Sequence, residues 1–434
     1  MRWPRRSGGC APTWRTRPNR GSPPGPLARV PRIRSFAVLR TAPHFRRLFL
    51  ATLGSGAGTY LAAVALTVDV FDRTDSGAWV SALLIVDFLP IILIGLLAAP
   101  LVDRLSRRRL LIVSDLVRAV VFCALPFAGN ATAIIVLAGI QGIATGFFRP
   151  AVYAGMPNLV DDAELPSATS LLQTVENLTW MVGPVVGGVL LSVQGPELAY
   201  WANAVTFVLS AVLLARIPAA RLQVGHVESR GHWGDIADGF QVVLRSRGLL
   251  TVLVVWNVVT LGVGAINVAE VALAKVSLDA GNFGFGVLLG ASGLGLTIGS
   301  FVSGQLVDRL GIGRVYFYGI ALMAGGYAIA ALASTIYIAV PAVIVASFGN
   351  GAAVVCNALF IQRGAPDELR GRAFTVIMSS TYATLGLGMI AAGWLTDLYG
   401  ARWVWGGSAV VYLVGAFVAV VLAPRGPEPR EALA

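Results

Sequence analysis

Two carboxylates stand where a carboxylate is expensive. Asp87 and Glu176 lie roughly eight or nine residues inside long apolar runs. An ionisable group at such depth is costly and usually functional. Either residue could hold and release a proton or balance a cationic guest; the alternative is a protonated or hydrogen-bonded structural carboxyl. Gln141 and Asn257 are uncharged polar groups in similar runs and candidate liners of a cavity. Asp115 and Arg118 are three residues apart, share a helix face, and are expected to form a structural ion pair on the inner side. Asp69 and Glu270 fall at the ends of runs and are read as interfacial. Arg149, beside Pro150, either reaches a hinge carboxylate or extends its head to the interface.

A second constellation is charged and short. Ala-Pro-Leu-Val-Asp-Arg-Leu-Ser-Arg-Arg-Arg runs from Ala99 to Arg109, and Gly-Gln-Leu-Val-Asp-Arg-Leu-Gly-Ile-Gly-Arg from Gly304 to Arg314. Asp103 and Asp308 are 205 positions apart, and Pro157 and Pro366, in a second pair of related loops, are 209 apart. The chain therefore reads as two related halves. Other chemistry is nearly silent. The three histidines, His44, His226 and His232, lie outside the apolar runs, and Cys10, Cys123 and Cys356 are widely spaced. No zinc spacing, nucleophile elbow or phosphate-binding loop is present. No metal, no cofactor and no enzymatic activity are expected, and any work must be driven by a gradient or a separate subunit.

The elements that must position these residues follow from composition. The chain is 56% hydrophobic and 13% charged, with a mean hydropathy of +0.74, against about a quarter charged in soluble domains. This composition implies a polytopic membrane protein. Twelve runs are long enough to span a bilayer, at about 48–70, 79–102, 110–129, 131–153, 168–193 and 199–216, then 249–272, 284–305, 315–333, 337–360, 373–397 and 402–422. The fold class expected is all-α, two pseudo-symmetric six-helix bundles at 48–216 and 249–422. Residues 1–47 read as a disordered basic tail, 217–248 as a cytoplasmic linker with a short interfacial helix from Ile236, and 423–434 as a C-terminal tail.

Arginine placement orients the bundle. With the N-terminus inside, 30 Arg and Lys fall on the cytoplasmic side and 3 outside; without the tail the ratio is 18 to 3. Both termini are then cytoplasmic. The net charge of +11 is accounted for by this topology, and no nucleic acid is expected as a partner. Six helices, a linker and six helices again is a transporter layout.

Asp103-Arg104-Leu105-Ser106-Arg107-Arg108 resembles the Gly-x-x-x-Asp-Arg-x-Gly-Arg-Arg signature of the major facilitator superfamily, with Ala99 and Ser106 in place of its glycines. The second copy keeps Gly304, Asp308, Arg309 and Gly311. Gly183-Pro184-Val185-Val186-Gly187-Gly188 is similar to the end of the motif found in the superfamily's exporters, with Thr179 at the upstream glycine position. Phe45-Arg-Arg-Leu-Phe, Asn177 and Leu369-Arg-Gly-Arg resemble the bacterial macrolide-efflux and enterobactin-exporter branch.

The resemblance implies alternating access about a midplane cavity, in the cytoplasmic membrane. It implies a gate motif of Asp103, Arg104, Arg107, Asp308 and Arg309. In the family fold Asp103 lies against the start of the eleventh helix near Ala373, and Asp308 against the start of the fifth near Ser167. The partners implied are an amphiphilic small molecule such as a macrolide or siderophore-like metabolite, protons and the lipid bilayer, with the chain monomeric. The arginine of the Arg-x-x-Gln-Gly motif of many proton antiporters is absent: Ala138 precedes Gln141-Gly142. Uptake or facilitated equilibration is the rival direction, and a non-transporting sensor or scaffold the rival class.

Overall fold

The computed structural model describes residues 38–97, 105–161, 164–222, 240–365 and 370–422. These form twelve long helices and, among the described residues, no strand. We label them α1 Pro43–Thr74, α2 Gly77–Leu97, α3 Arg107–Ala124, α4 Ala131–Gly155, α5 Leu165–Gln194 and α6 Pro196–Ala215. The second half holds α7 Arg247–Ala272, α8 Gly281–Leu310, α9 Ile312–Leu332, α10 Ile336–Gly364, α11 Arg370–Tyr399 and α12 Ala401–Leu422. Eleven helices are long and apolar enough to cross a bilayer, and α2 contributes a shorter apolar stretch, Gly77–Ile91.

The two halves have one packing plan. In the first, α1 packs on α5 and α6, α3 on α4 and α6, and α2 on α4. In the second, α7 packs on α11 and α12, α9 on α10 and α12, and α8 on α10, the same pairs with six added to each number. The halves meet through α5 with α8 and α2 with α11. Equivalent turns share an unusual backbone: Asp75 before α2 and Asp279 before α8 both take positive φ, 48° and 49°. We call the end where α2 passes to α3 the hinge end, and the opposite end the far end.

The start of the first helix differs from the sequence reading. Val38–Thr41 is a helical turn, and α1 begins at Pro43, not near 48. Proline at the first helical position loses nothing. Phe45, Leu48 and Phe49 then pack in a buried cluster with Leu111, Phe148, Met156 and Leu172. The tail expected over 1–47 is thereby shortened, and residues 1–37 lie outside the described residues. Of the linker, 240–245 are helical and 223–239 lie outside the described residues. Ile217 and Leu222 are buried, so the segment leaving α6 is packed into the first half before the linker proper.

Candidate functional site

Four of the charged or amide groups singled out above converge in the first half. A cavity of about 210 Å³ opens among α1, α2, α4 and α5, with Arg118 and Phe122 of α3 at its side. Asp87, Gln141, Arg149 and Glu176 line it, amid Leu66, Leu83, Ile91, Phe148 and Val175. Small residues allow this meeting. A Cβ at Gly142 would lie 2.5 Å from the Asp87 carbonyl oxygen, so only glycine lets α4 approach α2 there.

Asp87 is the unmatched group. Its Oδ1 is buried and has no hydrogen-bond partner. Glu176, by contrast, accepts from Arg149 at 3.1 Å; the arginine is half-exposed and the glutamate 20% exposed. The sequence reading placed Arg149 toward the hinge network or the interface, but α4 and α5 turn it onto Glu176. Gln141 is buried, and its Oε1 accepts from Thr145 Oγ1 at 2.8 Å. Asp115 and Arg118 do pair, but at mid-helix, buried, and not near the inner surface. The guanidinium also lies 4.2 Å from the Phe148 ring centroid and 4.4 Å from that of Phe207, so the charge is held by the carboxylate and two π faces.

Asn257 belongs elsewhere. It donates to Leu253 O at 2.5 Å and to Ser380 Oγ at 3.0 Å, and its Oδ1 accepts from Thr384 Oγ1 at 2.8 Å. It clasps α7 to α11 in the second half and does not line the cavity. Asp69 and Glu270 are both buried within the protein. Asp69 accepts from Arg73 Nε at 2.7 Å and Tyr200 OH at 2.9 Å.

The exporter-like motif is a packing device with two faces. A Cβ at Gly183 would lie 2.7 Å from Tyr60 Cβ, and one at Gly187 2.6 Å from the Leu61 carbonyl, so these residues seat α5 on α1. Gly188 faces Gly286 of α8, 3.0 Å from a Cβ to its Cα, and the Pro184 carbonyl lies 2.6 Å from a Cβ built at Gly286. One motif therefore serves both the inside of a half and the seam between halves.

That seam is closed at the far end. Asp397, on the last turns of α11, accepts from Ser76 Oγ at 2.7 Å, Gly77 N at 2.5 Å and Ala78 N at 3.2 Å. A carboxylate thus caps the N-terminus of α2 from the other half, satisfying orphan amides and complementing the helix dipole. Ser81 Oγ donates to Met389 O at 2.7 Å, and Lys275 pairs with Asp72. Gly393, four residues before Asp397, brings α11 onto α2, since its Cβ would lie 3.0 Å from Ala78 Cα. The sequence reading missed this latch. Its signal was Gly393-Trp-Leu-Thr-Asp397, the same Gly-x-x-x-Asp spacing as Gly304 to Asp308.

The hinge end differs. Asp103 and Arg104 lie outside the described residues. Asp308 and Arg309 are exposed, and neither makes a side-chain hydrogen bond or ion pair among the described residues. Phe301 nearby is 83% exposed. The contact expected between Asp308 and the start of α5 is therefore not made here, because the α5–α8 approach at Gly188, Gly286 and Gly293 belongs to the far part of the seam. Arg107 donates to Ala154 O at 3.0 Å and Leu222 O at 3.1 Å. It fastens α3 within its own half.

Comparison with known proteins agrees with this architecture. A profile of the family described as transmembrane secretion effectors matches residues 33–431. The chain belongs to that family, within the major facilitator superfamily. It is 28% identical over 397 residues to the multidrug efflux pump Tap of Mycolicibacterium fortuitum, covering 87% of this chain and 95% of Tap. It is 24% identical to macrolide efflux protein A of Streptococcus pyogenes, covering 78% and 86%. Among solved structures, a bacterial homologue of the iron transporter ferroportin in its inward-facing state superposes with a TM-score of 0.72 at 16% identity, over 88% of this chain and 99% of that one. That likeness bears on the fold alone.

Proposed function

We propose that this transporter exports amphiphilic small molecules, drugs among them, from the cytoplasm in exchange for protons. The observation that carries the reading is the Asp87 carboxylate, unpartnered in a largely apolar cavity. A carboxylate there is stable as the neutral acid or opposite a cation, and an ionised one with neither is strongly disfavoured. Proton and cationic substrate therefore compete for one group. Arg149 and Glu176 balance one another and leave Asp87 to set the charge of the site.

Size bounds the mode of binding. Pockets for drug-sized ligands measure about 300–1,000 Å³, so a cavity of about 210 Å³ takes a charged head, with the bulk of a macrolide-sized molecule lying between the halves. The excess of arginine at the hinge end makes that end cytoplasmic, with both termini and the 217–248 linker on that side and the bundles at 48–216 and 249–422 in the cytoplasmic membrane. The far-closed state then faces inward, ready to load. Rocking of the halves breaks the Asp397 latch, and the gate motif, Asp103 with Arg104 and Asp308 with Arg309, closes the hinge end. The Gly183–Gly188 motif and the efflux names of the relatives support the outward direction. The monomer, with its twelve helices, is the working unit.

Reconstitution tests the reading. Purified protein in liposomes under an imposed pH gradient is expected to move a fluorescent lipophilic cation against the proton flow. Movement at the same rate with the gradient collapsed contradicts it.

A further inference from the structure

The two halves bury the same aromatic triad with opposite polarity. In the first half Phe122 lies 6.2 Å from Tyr200 and 5.7 Å from Phe207, between ring centroids. In the second half Tyr327 lies 5.4 Å from Trp405 and 5.5 Å from Tyr412. Each residue of the second set stands 205 positions after its counterpart, the offset of the two hinge aspartates. In the first half the polar tip is satisfied: Tyr200 donates to Asp69, which Arg73 neutralises. In the second half the Tyr412 hydroxyl and Trp405 Nε1 are buried without partners.

Glu270 sits beside this second triad. It is 3% exposed, its Oε1 is buried without a hydrogen-bond partner, and Tyr327 lies within Coulombic range of its carboxyl. Among the described residues no cation pairs with it. The charged groups on the elements packed against α7 at this end are committed elsewhere. Arg402 of α12 donates to Ala331, Ala333 and Ser277 carbonyls. Lys275 pairs with Asp72 of α1, and Arg73 with Asp69. Asp397 of α11 caps α2. The titratable side chain whose charge reaches Glu270 is the phenol of Tyr327; α8 and α10 carry no charged residue in their far-end turns, and Asp279 stands in the turn before α8.

We infer that Glu270 is a second proton-binding site, separate from the cavity of the first half, that holds its proton while the far end is closed and exchanges it with the outer water when the far end opens. A buried carboxylate without a cation is held as the neutral acid. Opening the seam beside α7 hydrates the group and lets it exchange its proton with the outer solution, so it responds to outer pH and carries no proton outward. Sign follows directly: the far-closed state is favoured while Glu270 is protonated, and loses that advantage as pH rises through the site's titration. The protonated closed state stands on the geometry alone; the exchange on opening rests on the alternating access proposed above.

Infrared difference spectroscopy tests both. The spectrum of wild-type protein in lipid minus that of Glu270→Gln, an isosteric variant, is expected to show the carbonyl stretch of an isolated protonated carboxylic acid at neutral pH. Carboxylate bands in its place overturn the inference. Asp397→Ala, which releases the far end, is expected to shift the titration of that band to lower pH; an unchanged titration, with the opening verified by spin-label distances, overturns the exchange step. Failure of liposome transport under any gradient would count against the export reading and leave the infrared result standing.

Discussion

Replacing Asp397 with alanine removes the acceptor of three hydrogen bonds that cross between halves, from Ser76 Oγ, Gly77 N and Ala78 N. Losing an N-cap of this kind costs about 0.5–2 kcal/mol, and the carboxylate's interaction with the α2 dipole adds about 0.3–1 kcal/mol. Asp397 is exposed, so the lower half of each range applies and the sum is about 1–2 kcal/mol. At about 1.4 kcal/mol per tenfold, the ratio of far-closed to far-open molecules falls roughly 5- to 30-fold. The variant should still fold, because the capped amides become solvated when the seam opens. Spin labels at Trp201 of α6 and Trp403 of α12, both exposed at the far end, report the spacing of the halves by pulsed electron resonance. A longer-distance population should rise in Asp397→Ala and be partly suppressed in Asp397→Asn, which keeps one acceptor. An unchanged distance distribution in a folded alanine variant would refute the latch.

Other consequences are smaller or more local. Lys275→Ala, removing an exposed pair with Asp72, should shift the same distribution by less than about 1 kcal/mol, and the effect should vanish at high salt. Gly187→Val forces a side chain against the Leu61 carbonyl and should lower thermal stability by about 1–3 kcal/mol, read in a detergent melt. Phe45→Ala empties a fully buried position and should cost about 3–5 kcal/mol in the same assay. Arg149→Ala leaves Glu176 unpaired in the cavity and should weaken anionic ligands relative to cationic ones, read by competition binding.

The spans were legible because a bilayer demands about 20 apolar residues per helix, and the hinge because a charged motif between apolar runs has few other uses. The repeat was legible from the pairing of Asp103 with Asp308. What stayed hidden depends on how helices rotate about their axes. Arg149 and Glu176 are 27 residues apart and meet only because α4 and α5 face one cavity. Asn257 reads like Gln141 in sequence, yet its face turns to α11. Asp397 is not singled out in the sequence, since its partners lie about 320 positions away. Asp308 carries the motif, yet its side chain is exposed and unpaired among the described residues, which spacing alone does not reveal.

The central claim is that Asp87 exchanges a proton for the charged head of a substrate. Proton release on binding tests it most directly, with a lipophilic cation added to purified protein in weak buffer and a pH dye present. The account predicts release of about one proton per bound molecule in the wild type, by linkage, and none in Asp87→Asn. Equal release in the two proteins, or binding to the wild type without release, would contradict it.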